Sequence, residues 1–165
     1  MEVIYVRPER CMGCRSCEMG CMVQHSKAKS LAGAILGGER PRKRLFVEDA
    51  DGSRMPVLCR HCEDAPCIKA CISGCLYKDE KGFVRRHKEK CIGCWSCVML
   101  CPFGVITADP ENHIAVKCDR CHKLDVPACV ASCPTKALVL RDVEQIPAEK
   151  RRRLALSETT GREVA

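Results

Sequence analysis

The stretch 91-CIGCWSCVMLCP-102 spaces four cysteines as C-x2-C-x2-C-x3-C and closes on proline. Zinc sites built on C-x2-C use two such pairs to complete one tetrahedron. Three thiols inside one short loop do not fit that plan, because Cys94, the middle one, has no place in it. The spacing suits a cubane iron-sulfur cluster instead. A tight loop sets three thiolates on three irons, and the fourth cysteine, expected to open a helix, points towards a second cluster.

Outward from this stretch the pattern recurs. Cys11, Cys14, Cys17 and Cys21 repeat the spacing; Cys59, Cys62, Cys67 and Cys71 follow C-x2-C-x4-C-x3-C; Cys118, Cys121, Cys129 and Cys133 follow C-x2-C-x7-C-x3-C and again end in Cys-Pro. Four groups use sixteen of the seventeen cysteines and leave Cys75, in 71-CISGC-75, outside the scheme. The spacing predicts four 4Fe-4S clusters, each with every iron capped by a thiolate. A cluster that binds substrate needs an iron without such a cap, so this chain is expected to move electrons and to have no catalytic site of its own. The competing classes are a cysteine-rich zinc module and an iron-sulfur enzyme with an open iron.

Composition agrees with a metal-filled centre. A chain of 165 residues with one Trp, two Tyr and three Phe has little aromatic bulk for an ordinary core. The N-terminal residues MEVIYVRPER lack the apolar run of a secretory signal, and no stretch reaches membrane-spanning length. A reducing compartment, the cytoplasm, is therefore expected, and there dense cysteines mean metal rather than disulfides. The formal charge of +7 and the basic runs 41-PRKR-44, 85-RRHKEK-90 and 150-KRRR-153 would suit nucleic acid. Each oxidised cluster with four thiolates carries about 2−, and four such sites bring the total to about −1. The basic residues thus offset buried anions, and a nucleic-acid role is not expected.

Strand signals flank turns along the chain: 2-EVIYVR-7, 44-RLFVED-49 with 53-SRMPVL-58, 76-LYKD-79 with 82-GFVRR-86, 105-VITAD-109 with 113-HIAVK-117, and 137-ALVLRD-142. The expected fold class is α+β, a duplicated bacterial ferredoxin-like fold of short antiparallel hairpins and short helices around the clusters. Residues 25–44 read as a solvated loop or a docking surface. The tail from Ile146, with Pro147 at a favourable first position, reads as a surface helix that gives way to disorder after about Ser157.

The strings 56-PVLCRHCEDAPCIKAC-71, 91-CIGCWSCVMLCPFGVI-106 and 117-KCDRCHKLDVPACVASCPTKAL-138 resemble the four-cluster iron-sulfur subunits of the dimethyl sulfoxide reductase and formate dehydrogenase type. Spacing alone leaves adjacent and nested pairing of the groups open; the resemblance implies the nested one. On that basis Cys11, Cys14, Cys17 and Cys133 hold one cluster, and Cys118, Cys121, Cys129 and Cys21 hold its neighbour, in an outer unit of residues 1–24 with 104–145. Cys59, Cys62, Cys67 and Cys101 hold a third cluster, and Cys91, Cys94, Cys97 and Cys71 the fourth, in an inner unit of residues 59–103. Residues 25–58 form an insertion and hairpin, and 146–165 a C-terminal tail.

Within that family the chain's size and the segment 25-HSKAKSLAGAI-35 look like the electron-transfer subunit of carbon monoxide dehydrogenase. This resemblance implies carbon monoxide dehydrogenase as donor and a hydrogenase or another redox protein as acceptor. A subunit of an aldehyde oxidoreductase or a formate dehydrogenase is the alternative, and both a monomer and a homo-oligomer stay open.

Among residues near the ligands, Arg15, Arg60 and Arg120 could raise cluster potentials or simply be solvated. His61 and His122 are expected to hydrogen-bond rather than to ligate. Met12, Met19, Met22 and Met99 are expected to shield the clusters from water. Cys71 is the expected ligand in CISGC and Cys75 a buried free thiol at the position that the fourth group gives to Ala137. Anaerobic purification is expected to yield about sixteen irons per chain. Elemental analysis finding zinc in place of iron would overturn the cluster reading.

Overall fold

The computed structural model describes residues 1–160. Its strands pair two by two into antiparallel ribbons: β1 (Glu2–Val6) with β8 (Leu138–Asp142), β2 (Leu45–Ala50) with β3 (Ser53–Leu58), β4 (Leu76–Lys78) with β5 (Val84–Arg86), and β6 (Thr107–Asp109) with β7 (Ile114–Val116). Three of these are hairpins closed by the turn residues read in the sequence. The fourth joins the two ends of the chain, pairing Glu2 with Asp142 and Val6 with Leu138. It therefore brings the first cysteine group beside the fourth. The mixed α+β architecture of short hairpins and helices agrees with the sequence reading. No described helix is long and apolar enough to cross a membrane.

The helices are α1 (Ser16–His25), α2 (Leu31–Leu36), α3 (Pro66–Lys69), α4 (Ser96–Met99), α5 (Ala128–Ala131) and α6 (Gln145–Thr160). They correct one expectation. In each group the helix begins just before the third cysteine, and the fourth lies one turn later instead of opening a helix. The C-x3-C spacing puts both thiols on one helical face, so a single turn can present them side by side. Helix α1 packs on α5, and α3 on α4.

Two further differences have local causes. Residues 25–44 are not wholly loop: Ser30 caps α2, its side chain accepting from the Gly33 N–H at 3.1 Å. The C-terminal helix starts at Gln145, ahead of Pro147, and continues past Ser157 to Thr160. Ion pairs hold it to the body, with Glu149 bonded to both Arg7 and Arg141 and with Arg153 bonded to Glu9. The expected disorder beyond Thr160 lies outside the described residues.

Two apolar clusters form the interior, and cysteines belong to both. Val6, Leu45, Leu58 and Leu138 pack with Cys17 and Cys129 in one; Leu76, Val84 and Ile106 pack with Cys67 and Cys97 in the other. Buried Glu18 ties the 25–58 segment to α1. Its carboxylate accepts from the Val47 N–H at 2.7 Å and pairs with Lys43 at 2.8 Å. Glu18→Ala leaves the Val47 N–H and the Lys43 ammonium without their acceptor, and it is expected to cost about 2–3 kcal/mol. Lys43→Met is expected to cost under about 1 kcal/mol, because Lys43 is a third exposed. Urea midpoints of the anaerobically purified variants check both.

Candidate metal centre

The loops that carry the thiols rely on left-handed backbone. Arg15 (φ 58°) and Trp95 (φ 61°) stand directly before α1 and α4, and His61 (φ 49°) and Arg120 (φ 58°) precede the second cysteine of CRHC and CDRC, the place that CMGC and CIGC give to Gly13 (φ 73°) and Gly93 (φ 68°). Non-glycine residues visit this region seldom, and its recurrence in two pairs of equivalent positions marks a loop shape that the site imposes. Gly93 (φ 68°) shows the crowding, since a Cβ there would meet the His113 carbonyl oxygen at 2.8 Å. The loops turn backbone N–H groups onto sulfur. His61 N–H points to Cys59, Leu76 to Cys71, Ala115 to Cys91 and Arg120 to Cys118, each at 3.4 Å, and Leu138 to Cys133 at 3.5 Å.

None of the seventeen cysteines forms a disulfide. Sixteen of them gather in four sets. Cys11, Cys14, Cys17 and Cys133 line one small cavity; Cys59, Cys62, Cys67 and Cys101 line another. Cys129 is raised by burial and then by the neighbouring Cys118, Cys21 and Cys121 thiolates, which defines a third set. Cys97 is pushed up to about 11 by burial and then by Cys91, Cys67, Cys71 and Cys94, which defines the fourth and brings in Cys67 from the second. Cys17 also acts on Cys129, and Cys59 acts on Cys118. Packing gives the same order. Cys17 and Cys133 share one apolar cluster with Cys21 and Cys129, Cys67 and Cys101 share the other with Cys71, Cys91 and Cys97, and Lys117 links Cys118 to Val84 of the Cys59 cavity. The series therefore runs from the set of Cys11 through those of Cys118 and Cys59 to that of Cys91.

The two ends of this series differ from its middle. Cys14 and Cys94 are exposed, and hydrogen bonds from Ser16 and Ser96 lower their pKa values. In the middle sets burial pushes Cys21 up to about 11 and Cys118 to about 12; the inner thiols of the end sets, Cys17 and Cys97, are raised to about 11 as well, so the ends differ by their exposed thiol. Four thiols crowded in an apolar cavity stay protonated unless a bound cation charges them, while N–H groups aimed at sulfur favour the thiolate. Both features suit metal ligation by sulfur, so the residues present fit iron-sulfur clusters.

Cys75 stands apart. It is 2% exposed, its Sγ donates to the His87 carbonyl at 3.0 Å, and burial pushes it up to about 12. Ala137, at the equivalent place, is also 2% exposed.

The cations proposed from sequence divide. Arg15 and Arg60 are exposed, whereas Arg120 is partly buried and lies 4.2 Å over the Phe83 ring. Unforeseen in detail were Arg44, Arg86 and Lys117. Arg44 pairs with Asp119 at 2.7 Å, and Arg86 donates to the Ala115 carbonyl. Burial opposes charge on Asp119, yet the hydrogen bond from His25 and the Arg44 guanidinium hold its carboxyl well below the usual range. The basic runs PRKR and RRHKEK were the available signal for the arginines; Lys117 had only its place beside Cys118.

Half-buried His61 accepts from the Val84 N–H at 3.2 Å through Nδ1, and desolvation with the Lys117 charge lowers its pKa to about 3, so it is neutral. His122 is exposed. Met22 is half-buried, but Met12, Met19 and Met99 are 59%, 49% and 75% exposed and correct the sequence reading. They occupy the solvent side of loops and helices whose inner side carries the thiols, so they do not shield them.

Residues 51–143 match the model of the family described as "4Fe-4S dicluster domain". The chain is 38% identical to "Iron-sulfur protein" of Rhodospirillum rubrum, the match covering 99% of this chain and 90% of that protein. It is 40% identical to "Electron transport protein HydN" of Escherichia coli K12, covering 89% of this chain and 93% of that protein. Identity to "Thiosulfate reductase electron transfer subunit PhsB" of Salmonella typhi is 36%, covering 79% and 70%. The matched segment holds three of the four cysteine groups and the relatives extend over the rest, so the chain belongs to the 4Fe-4S dicluster family.

Proposed function

We propose that this chain is an iron-sulfur electron-transport protein that carries single electrons from carbon monoxide dehydrogenase to a hydrogenase or another redox acceptor, with the sixteen cysteines outside Cys75 as ligands of four 4Fe-4S clusters. The observation that carries the reading is the series of four thiol sets with an exposed thiol, Cys14 or Cys94, at each end. When bound, such clusters take up and release one electron at a time. The protein's part is to hold the sets in succession, to keep the middle two dry and surrounded by positive charge, and to bring the end sets to the surface where partners dock. Each set offers four thiols, so no iron is left for substrate.

Support for the donor comes from the segment 25-HSKAKSLAGAI-35, where α2 exposes Leu31, Ile35 and Leu36 as an apolar patch. A second reading, a subunit of an aldehyde oxidoreductase or formate dehydrogenase, is favoured by the likeness to a thiosulfate reductase electron transfer subunit. The same scaffold then serves different donors. We further propose the cytoplasm as the location, following the sequence reading.

Mixing the anaerobic protein with carbon monoxide dehydrogenase and carbon monoxide is expected to bleach its visible absorbance within the mixing time. Bleaching by formate dehydrogenase and formate alone would replace the donor with the second reading. For the ligand map, Cys71→Ala is expected to lose or convert one cluster, about four of sixteen irons at most, and Cys75→Ala none. Iron analysis with electron paramagnetic resonance checks this, and cluster loss in Cys75→Ala would reverse the assignment.

A further inference from the structure

We infer that Lys117 is the shared counter-cation of the two middle thiol sets, positioned to set the potentials of the clusters on either side of the junction between the two halves of the chain. The inference rests on the proposed function above, in which those sets carry clusters. Lys117 follows directly on β7 and precedes Cys118, and it is 4% exposed. Its Nζ donates to two carbonyls at 3.0 Å: that of Cys118, which opens the fourth cysteine group, and that of Val84 on β5, in the half that carries the second and third groups. The ammonium is thus fastened to both halves at their junction.

What distinguishes Lys117 is the missing counter-ion. The other two buried charges are carboxylates with cations nearby, Glu18 with Lys43 at 2.8 Å and Asp109 with Arg42 at 3.9 Å. Among the described residues no carboxylate pairs with Lys117. Arg44 and Arg85, near the same junction, are paired with Asp119 and Asp79. A buried, unpaired ammonium costs several kcal/mol and persists only where an anion faces it. Its field reaches the neutral His61 ring and sulfur, while Asp79 and Asp119, which line the same hollow, are paired with Arg85 and Arg44. Val84, whose carbonyl holds the ammonium, lines the cavity of Cys59, Cys62, Cys67 and Cys101, and Lys117 lines a neighbouring hollow with Cys118; in keeping with this, the Lys117 charge opposes the rise of both Cys67 and Cys118. Cys67 and Cys118 belong to different sets, and Cys59 acts on both. One positive charge therefore lies between two neighbouring anionic sites.

A fixed positive charge stabilises the reduced, more negative state and raises the potential, most strongly for the nearest sites and with little screening in a buried place. The end sets of Cys14 and Cys94 lie one position further along the series on either side. The expected consequence is that the step between the halves is held above the potential that burial alone would give.

The test is a potentiometric titration of anaerobic, full-length protein followed by electron paramagnetic resonance, with iron content measured in parallel. Lys117→Met is expected to retain about sixteen irons and to lower the reduced-to-oxidised ratio of two clusters about tenfold at fixed potential, which is about 59 mV for a one-electron couple. The other two clusters are expected to keep their potentials. Full iron content with four unchanged potentials, or an equal shift in all four, overturns the role of Lys117 and leaves the cluster reading intact. Little iron in the wild-type protein overturns the cluster reading itself. Should Lys117→Met lose iron, Lys117→Arg, which keeps the charge, is expected to restore it while the neutral Lys117→Gln does not. Restoration by Lys117→Gln overturns the proposal, because hydrogen bonding to the two carbonyls would then be the requirement.

Discussion

Four thiolates cannot occupy one apolar cavity unless positive charge balances them, and the rest of this structure follows from that constraint. Burial, followed by neighbouring negative groups, drives Cys17, Cys21 and Cys97 to about 11. The chain answers at two ranges. At short range, backbone N–H groups converge on sulfur, which is why residues as different as Arg15, His61, Trp95 and Arg120 all accept left-handed backbone. At longer range, buried or half-buried Arg44, Arg86, Arg120 and Lys117 surround the middle of the series.

The same constraint explains how so small an ordinary core holds together. Apolar residues such as Leu138 and Val84 are buried as tightly as any in a conventional domain, but they pack against cysteine and form shells rather than a centre. The ribbons are only three to six residues long and two strands wide, below what stands alone in water. Each is tied to a cysteine loop at one end, so folding and metal loading are coupled in the way that other sulfur-ligated sites couple them.

How far this was legible in the sequence depends on the range of the interaction. The ribbon strands showed because alternation and turn residues such as Asp51-Gly52 act over a few positions. The four thiol groups showed because loop geometry requires fixed spacing. The helix starts were misread because spacing says that two thiols share a face but not which of them begins the turn. Helix α2 was hidden because its signal is one cap, Ser30, in a run of Gly and Lys. The exposure of Met99 depends on which side of a four-residue helix meets solvent, and so short a helix carries no readable periodicity; Met12 lies in a loop, which has none. Lys117 could not have been singled out, since its meaning comes from Val84, thirty-three positions away.

The odd cysteine shows how an internal repeat can assign a residue that spacing cannot. The His87 N–H donates to the Cys75 carbonyl at 2.9 Å as the Arg7 N–H donates to the Ala137 carbonyl at 2.8 Å. One residue later, Leu76 and Leu138 each aim an N–H at the sulfur four residues before Cys75 or Ala137, Cys71 in one half and Cys133 in the other. Cys75 therefore occupies a position whose counterpart works with a methyl group alone. A thiol adds a donor there, and the His87 carbonyl takes it, so the sulfur is satisfied without metal. A ligand needs the opposite: a sulfur that receives hydrogen bonds and loses its proton, which is the environment of Cys71 and not of Cys75. The sequence offers two thiols four residues apart with nothing local to separate them. The direction of one hydrogen bond at each sulfur does separate them, and for Cys75 that direction is set by His87, the residue after β5, rather than by the CISGC loop itself.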